Sequence, residues 1–509
     1  MPDVKNPPRF YPHSWRSLRI AVQIFSGLFF LAIFILTPQL LGGGTFLSIP
    51  FKLSPLVMIG SSLAARVLIP GITLAVIFLF FALVFGRAWC GWLCPLGSVI
   101  EIFPNRKKRT ISINESWRKG KYLLLIALLI AALLSNLSLM VFDPMTIIFR
   151  TFTFSIWPSL SYIIQILESF LYRFSFLQPF VNAFDSAIRP AIFPINQIVF
   201  SQALLFFGIF VSILLLDFFA ERFWCRYLCP LGGLLAWISR FSIFKREVTS
   251  DCISCGKCAR DCQTGTVDEK NGYQSDPGEC TVCMDCISAC PNESNRFAPR
   301  LGVSPGMPYD PTRREALVTM GATTAGIAVA GTQPIRAPAM TFLIRPPGVK
   351  EENFMSRCVR CGECFRICPT NALQPTLFET GISGFWTPVL IPRIGYCDYS
   401  CNSCGQICPV QAIPPLSLDQ KRQAKIGSAY INQNLCIAWT DEGDCIVCEE
   451  MCPLPEKAIT LHRRGNGKQD TKTEVPVVNR QLCIGCGICE TKCPVIGEAA
   501  IQVRIPQNL

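Results

Sequence analysis

The chain has 509 residues, half of them apolar and only 16% charged, which is too apolar for an ordinary soluble protein and excludes a single globular domain. Its net charge of +12 comes from basic residues gathered beside apolar runs, a pattern of membrane topology that argues against nucleic acid as a partner. Only two histidines occur, His13 and His462, both outside apolar runs, and no Cys is followed by His, so no haem is expected.

Residues 1–16 are polar and Pro-rich, with Arg16 and Arg19 beside a first apolar run from about Ile20 to Leu41. That run is long enough to cross a bilayer, and no small-residue cleavage site follows it, so it reads as an anchor. Residues 42–66, with Gly42, Gly43 and Gly44 and two prolines, read as a loop with room for an interfacial segment. Further spans are expected at about Val67–Gly86, Tyr122–Phe142 and Ile198–Phe219. The aromatic, Pro-interrupted stretch 143–197 reads as amphipathic surface helices rather than a crossing. Basic residues crowd before the first span, between the second and third (Arg106, Lys107, Lys108, Arg109, Arg118, Lys119, Lys121) and after the fourth. The positive-inside rule then puts the segments after spans two and four in the cytoplasm.

Each of those two segments opens on the same motif. R-A-W-C-G-W-L-C-P-L-G carries Cys90 and Cys94, R-F-W-C-R-Y-L-C-P-L-G carries Cys225 and Cys229, and the two agree at eight of eleven positions. The four-span unit is therefore read as an internal duplication. A spacing of i,i+4 puts both sulfurs of a pair on one face if the segment is helical. Two such faces meeting would offer four thiols to an additional iron or iron–sulfur centre. Redox dithiols beside a quinone head group, and plain buried thiols, are the other readings. A quinone site also needs groups to handle protons. Arg87, Glu101 and Arg222 are the first candidates, followed by Asp143, Asp217 and Glu221 at other membrane edges.

The other 24 of the 28 cysteines form six quartets near C-x2-C-x2-C-x3-C. Such spacing is the ligand pattern of [4Fe–4S] ferredoxins, in which three close cysteines wrap one cubane and the fourth ligates its neighbour. Cys252, Cys255, Cys258 and Cys262 make the first quartet, and Cys280, Cys283, Cys286 and Cys290 the second. By the exchange rule Cys290 joins the first trio and Cys262 the second, although Gln263 stands where a Pro is usual. A Pro/Gly-rich linker at 300–311 leads to T-R-R-E-A-L-V and a small-residue apolar stretch, which is similar to a twin-arginine export signal. Glu315–Gln333 is then a fifth span with all that follows outside; a buried Ala/Gly helix is the alternative. Four more quartets follow, each ending in C-P: Cys358, Cys361, Cys364, Cys368; Cys397, Cys401, Cys404, Cys408; Cys436, Cys445, Cys448, Cys452; and Cys483, Cys486, Cys489, Cys493. Whether they pair sequentially or nested stays open. Zinc also takes C-x2-C pairs, and an even cysteine count permits disulfides, but neither accounts for six tight quartets. The patches Ala458–Leu461 and Ala500–Val503 read as small strands.

The expected architecture is a multi-domain membrane protein: a four-span α-helical bundle (1–245), a two-cluster ferredoxin module (246–300), a linker with a fifth span (301–345) and a four-cluster, ferredoxin-like α+β domain (346–509). Residues 15–300 resemble the four-span membrane ferredoxin (NapH-type) of periplasmic nitrate reductase systems, on the two C-x3-C-P motifs followed by two quartets. Residues 311–505 resemble its partner, a twin-arginine-exported four-cluster ferredoxin (NapG/MauM-type), of which relatives accompany methylamine dehydrogenase maturation. The resemblance implies a quinol dehydrogenase in the cytoplasmic membrane, in contact with lipid and the quinone pool. It would pass electrons from menaquinol or ubiquinol through six [4Fe–4S] clusters to an extracytoplasmic oxidoreductase or cytochrome in a hetero-oligomeric complex. The departure is covalent fusion, which makes the export signal internal and keeps the outer domain tethered. Two other functions share the same clusters: a maturation factor that reduces a metal site in another protein, and a wiring subunit with all clusters on one side.

Overall fold

The computed structural model describes residues 14–37, 48–102, 114–187, 198–300, 302, 309–331, 343–377, 379, 381–466 and 469–505. The Gly42–Gly44 loop, the Arg106–Arg109 part of the basic connection, most of the linker, and the ends of the first and fifth expected spans lie outside the described residues. The bundle is built on helices α1 (Ser14–Leu36), α2 (Ile72–Phe85), α3 (Lys119–Leu133), α4 (Pro144–Thr151), α5 (Trp157–Leu171) and α6 (Ala203–Leu216), with α7 (Arg313–Gly331) beside it.

A helix stands at each expected span, but their lengths differ. Helix α1 has 23 residues, about 34 Å, enough for a hydrocarbon core of about 30 Å. Helices α2, α3 and α6 have 14, 15 and 14 residues, about 21–23 Å each. Glycines in left-handed conformation bracket α2 (Gly71 φ 105°, Gly86 φ 66°), and Ser135 (φ 58°) ends the third run before Leu137. Their apolar stretches thus continue past the helix into turns. Conversely, Pro144–Leu171, expected as surface helices, is one 28-residue helical run that is long and apolar enough to cross a membrane, as is Trp15–Leu36. Pro158 does not break it, because a π-turn at Phe152–Ile156 absorbs the missing backbone donor, and Trp157 N bonds back to Phe152 O.

The two ferredoxin modules, 246–300 and 343–505, called inner and outer after the topology expected from the sequence, dock on opposite ends of α1. At its start, Arg19 Nη1 donates to Cys283 O (2.6 Å) and pairs with Asp285 (3.0 Å), so the 246–300 module sits there. Near its end, the Arg366 guanidinium stacks over Phe34 (4.6 Å) and Trp157 (5.1 Å), while Ile33 packs on Ile367 and Ile407. Arg19 and Phe34 are about 22 Å apart along the helix axis. Helix α7 runs along α3, tied at its start by Lys119–Glu315 (2.9 Å), and also meets the turn Ile382–Gly384 of the outer module.

Both modules are α+β. In the inner one, Phe244–Val248 pairs antiparallel with Asn295–Pro299, joining the entry and exit of the module. In the outer one, Ser428–Ile431 pairs with Ile501–Arg504, Ile459–Asn466 with Gln469–Val478, and Leu373–Pro375 with Pro388–Leu390. The patches expected as strands after the last two quartets fall in the second and first of these pairs.

Candidate metal centres

The two C-x3-C-P motifs are not continuous helices; each breaks at its second cysteine. A Pro lacks the N–H that a helix interior needs and pushes the preceding residue to extended backbone, so it begins a new helix instead. The helix Ala88–Trp92 gives way to Pro95–Ile102, and the π-turn Trp224–Leu228 gives way to Pro230–Ser239. Both breaks close with the same bond: Cys94 N to Trp89 O and Cys229 N to Trp224 O, each 2.9 Å. Both copies also need the glycine of their C-P-L-G end. A Cβ on Gly97 would lie 2.9 Å from Cys90 O, and one on Gly232 3.3 Å from Cys225 O. Sequence identity at eight positions is therefore matched by a repeated local geometry.

The copies face one another across a reciprocal clamp. Arg87 Nη2 of the first reaches Cys225 O of the second (3.4 Å), and Arg222 Nη1 of the second reaches Cys90 O of the first (3.1 Å). Each arginine then meets a carboxylate, Arg222 with Glu101 (2.5 Å) and Arg87 with Glu279 (3.2 Å). Glu101 is also held by Arg19 (2.7 Å) and retains 20% side-chain exposure. Between the copies, Cys90, Cys94, Cys225 and Cys229 line one small cavity, walled also by Leu96, Leu231 and Trp224, with Pro144 at the start of α4. The structure thus draws all seven candidates of the membrane site into one layer. Asp143 caps α4 through Met145 N and Thr146 N (3.1 Å each).

Glu279, which sequence reasoning missed, joins this layer to the inner module. It is fully buried between Lys121 (2.5 Å), Arg87, Arg118 (3.9 Å) and the Tyr122 hydroxyl (3.0 Å). Burial alone would raise its carboxyl; Lys121, Arg87 and Arg118 overrule that and hold it at about 2. Its only signal in the sequence was its place directly before Cys280.

None of the 28 cysteines is joined in a disulfide. In the inner module, Cys262 joins Cys280, Cys283 and Cys286 around one cavity of about 320 Å³. Thr249 N–Ser294 O (2.9 Å) and Asn292 Nδ2–Asp251 O (2.7 Å) bring the Cys252 loop to the Cys290 end. In the outer module, Cys368 lines a cavity with Cys397, Cys401 and Cys404, while Cys408 lies beside Cys358 and Cys361. Cys493 lines another, of about 380 Å³, with Cys436, Cys445 and Cys448, and Cys452 a third, of about 330 Å³, with Cys483, Cys486 and Cys489. Fourth cysteines are exchanged between first and second, and between third and fourth quartets: the pairing is sequential. A bond from Cys397 N to Cys486 O (2.8 Å) joins the two pairs. The outer sites are therefore linked in series, with the Cys358 loop of the first pair against the bundle and the second pair joined to the first at Cys397 and Cys486. Burial pushes the Cys280 and Cys397 thiols up to about 12, so loading these cavities must release protons.

Among the described residues, no three Cys, His, Asp or Glu side chains close on a point as a single metal ion requires. The thiols surround voids instead, and a cubane, ligated at its periphery, fits such an arrangement.

Comparison with known proteins bears on the same segments. Models described as 4Fe-4S binding domains match residues 67–112 and 202–249, 354–374, and 475–501. The methylamine utilization ferredoxin-type protein MauM of Methylorubrum extorquens is 33% identical over 215 residues, 40% of this chain and 92% of that protein. The ferredoxin-type protein NapG of Escherichia coli is 33% identical over 203 residues, 38% of this chain and 84% of its own. The putative electron transport protein YccM of Escherichia coli is 28% identical over 228 residues, 43% of this chain and 52% of YccM. No solved structure matches.

Proposed function

The chain belongs to the ferredoxin-type iron–sulfur proteins that include MauM and NapG, and from that premise we propose that it is a membrane-bound quinol dehydrogenase and electron conduit. In this reading the six quartets hold six [4Fe–4S] clusters, which carry electrons one at a time. The bundle lies in the cytoplasmic membrane, the inner module faces the cytoplasm, and α7 carries the chain to an outer module on the other side. The electron donor is menaquinol or ubiquinol, and the acceptor an extracytoplasmic oxidoreductase or cytochrome bound to the outer module.

The observation that carries the reading is the docking of two cluster modules on opposite ends of one helix long enough to span a bilayer. Exposed Ile24, Phe25, Leu28 and Phe29 on α1, and Ile163, Ile166, Leu167 and Phe170 on α5, support contact with lipid. Quinol oxidation releases two electrons and two protons. We assign it to the layer of Glu101, Arg87 and Arg222, where Glu101 holds Arg19 and Arg222 in place and alone keeps access to the surroundings.

In proteoliposomes a menaquinol analogue should reduce the clusters, followed by electron paramagnetic resonance. Glu101→Gln should slow that reduction by about a hundredfold while dithionite still reduces the clusters fully. Clusters that stay oxidised with quinol would leave a maturation factor as the better reading. An outer module protected from protease in right-side-out vesicles would overturn the two-sided arrangement.

A further inference from the structure

We infer that Cys90, Cys94, Cys225 and Cys229 together hold a single iron–sulfur cluster, shared by the two motif copies, and that this seventh centre is the relay between the inner and outer modules. The relay role rests on the conduit reading above; the site itself stands on its own geometry.

Each copy is half a site. The segments 67–112 and 202–249, both matched by a 4Fe-4S model, contain two cysteines apiece, two short of the four that a cubane takes. The fold supplies the other two by facing the copies together around one void. Like the cavity lined by Cys262, Cys280, Cys283 and Cys286, that void is walled by four thiols. One of its sulfurs is prepared in the same way as those of the quartets. Gly232 N donates to Cys229 Sγ (3.2 Å), as Thr266 N does to Cys262 Sγ (3.4 Å) and Ser294 N to Cys290 Sγ (3.3 Å). Two buried guanidiniums, Arg87 in the cavity wall and Arg222 on the Cys90 carbonyl behind it, offset the negative charge of a thiolate-ligated cluster. A zinc ion needs its thiolates drawn to about 2.3 Å of one point, and it carries no electrons.

The position suits a relay. On the inner side, the backbone after Cys90 touches the backbone after Cys280: a Cβ on Gly91 would lie 2.4 Å from Thr281 O. Trp92 Nε1 adds a bond to Val282 O (2.8 Å). On the outer side, Pro144 lines the cavity and opens α4, and the other end of α4 abuts the Cys361 loop. There a Cβ on Gly362 would lie 3.3 Å from Arg150 Cγ. From Pro144 to Arg150 is about 9 Å of helix. In each transfer one electron leaves a module's cluster and reduces the shared centre, then leaves it for the cluster on the other side. No covalent bond changes.

The test uses the full-length chain. Relative to wild type, the quadruple variant C90S/C94S/C225S/C229S should lose about one seventh of its iron and acid-labile sulfide, with the signals of the six quartets retained. The pair variant C90S/C94S should lose the same amount, because half a site holds nothing. Iron content equal to wild type in both variants would overturn the proposal, and a pair variant losing half as much would overturn sharing. In proteoliposomes, external dithionite should reduce the clusters nearer to it in wild type and quadruple variant alike, and those of the opposite module only in wild type. Equal reduction of both modules in the variant would overturn the relay. Gly91→Ala keeps all four thiols and should slow transfer between modules at least tenfold with iron unchanged; an unchanged rate would also count against the relay. Wild-type protein with iron-free quartets would instead sink the conduit reading.

Discussion

At the inner end of the bundle the ferredoxin module is held by charge: Glu279, sealed from water among Lys121, Arg87 and Arg118, and the partly exposed Asp285 against Arg19. At the outer end rings make the contact, together with hydrogen bonds from Gln202 to Pro375 O (2.6 Å) and from Asn371 and Gln374 to Val199 O (2.9 and 3.2 Å). Phe365 sits against Phe154 (4.9 Å) and Phe200 (6.4 Å), and Arg366 lies over Phe34 and Trp157. A buried carboxylate facing three cations accepts one alignment, since any slip strands a charge in low dielectric. Rings packed on rings hold by area and tolerate small shifts. The same bundle thus holds one module in register by buried charge and seats the other on rings and uncharged hydrogen bonds. The fixed register lies where the backbones after Cys90 and Cys280 touch.

Substitutions can break or sharpen that contrast. Glu279→Ala should have the largest effect, about 3–5 kcal/mol, because it leaves Lys121, Arg87 and Arg118 buried without their carboxylate. It should appear as a lowered Tm and as loss of iron from the inner module; a change within 1 kcal/mol would mean the cations are satisfied elsewhere. Phe365→Ala should cost about 3 kcal/mol and loosen only the outer seat, so the inner module's cluster signals should stay as in wild type. Altered inner signals would show that the two ends are coupled. Arg366→Lys keeps the charge but loses the planar stack on Phe34 and Trp157, and thermal unfolding should report less than about 1 kcal/mol.

Much of the site was legible because ligand spacing is a local property. Cysteines two residues apart wrap a loop whatever the fold around them, so the quartets and the two half-sites could be read from residue order. Helix length was not, because hydropathy counts apolar residues whether or not they are helical. The run Tyr122–Phe142 reads as one span, yet Ser135 in left-handed backbone ends the helix inside it. Pro158 misled in the other sense, since the turn that absorbs it lies in the preceding residues. Sequential pairing of the outer quartets, and the role of Glu279, depend on which loops meet in space. No spacing rule carries that information.

The reciprocal clamp also bears on how the protein is made. Arg87 finds its Cys225 carbonyl 138 residues further along the chain, and Arg222 looks back 132 residues to Cys90. During synthesis the first half of the bundle therefore waits with two unprotected thiols and a bare guanidinium. Its partners arrive later, first the second motif and then Glu279. The cavity between the copies is therefore complete only once Cys229 has been translated, so both halves of the bundle must be in place before the four thiols can face one another.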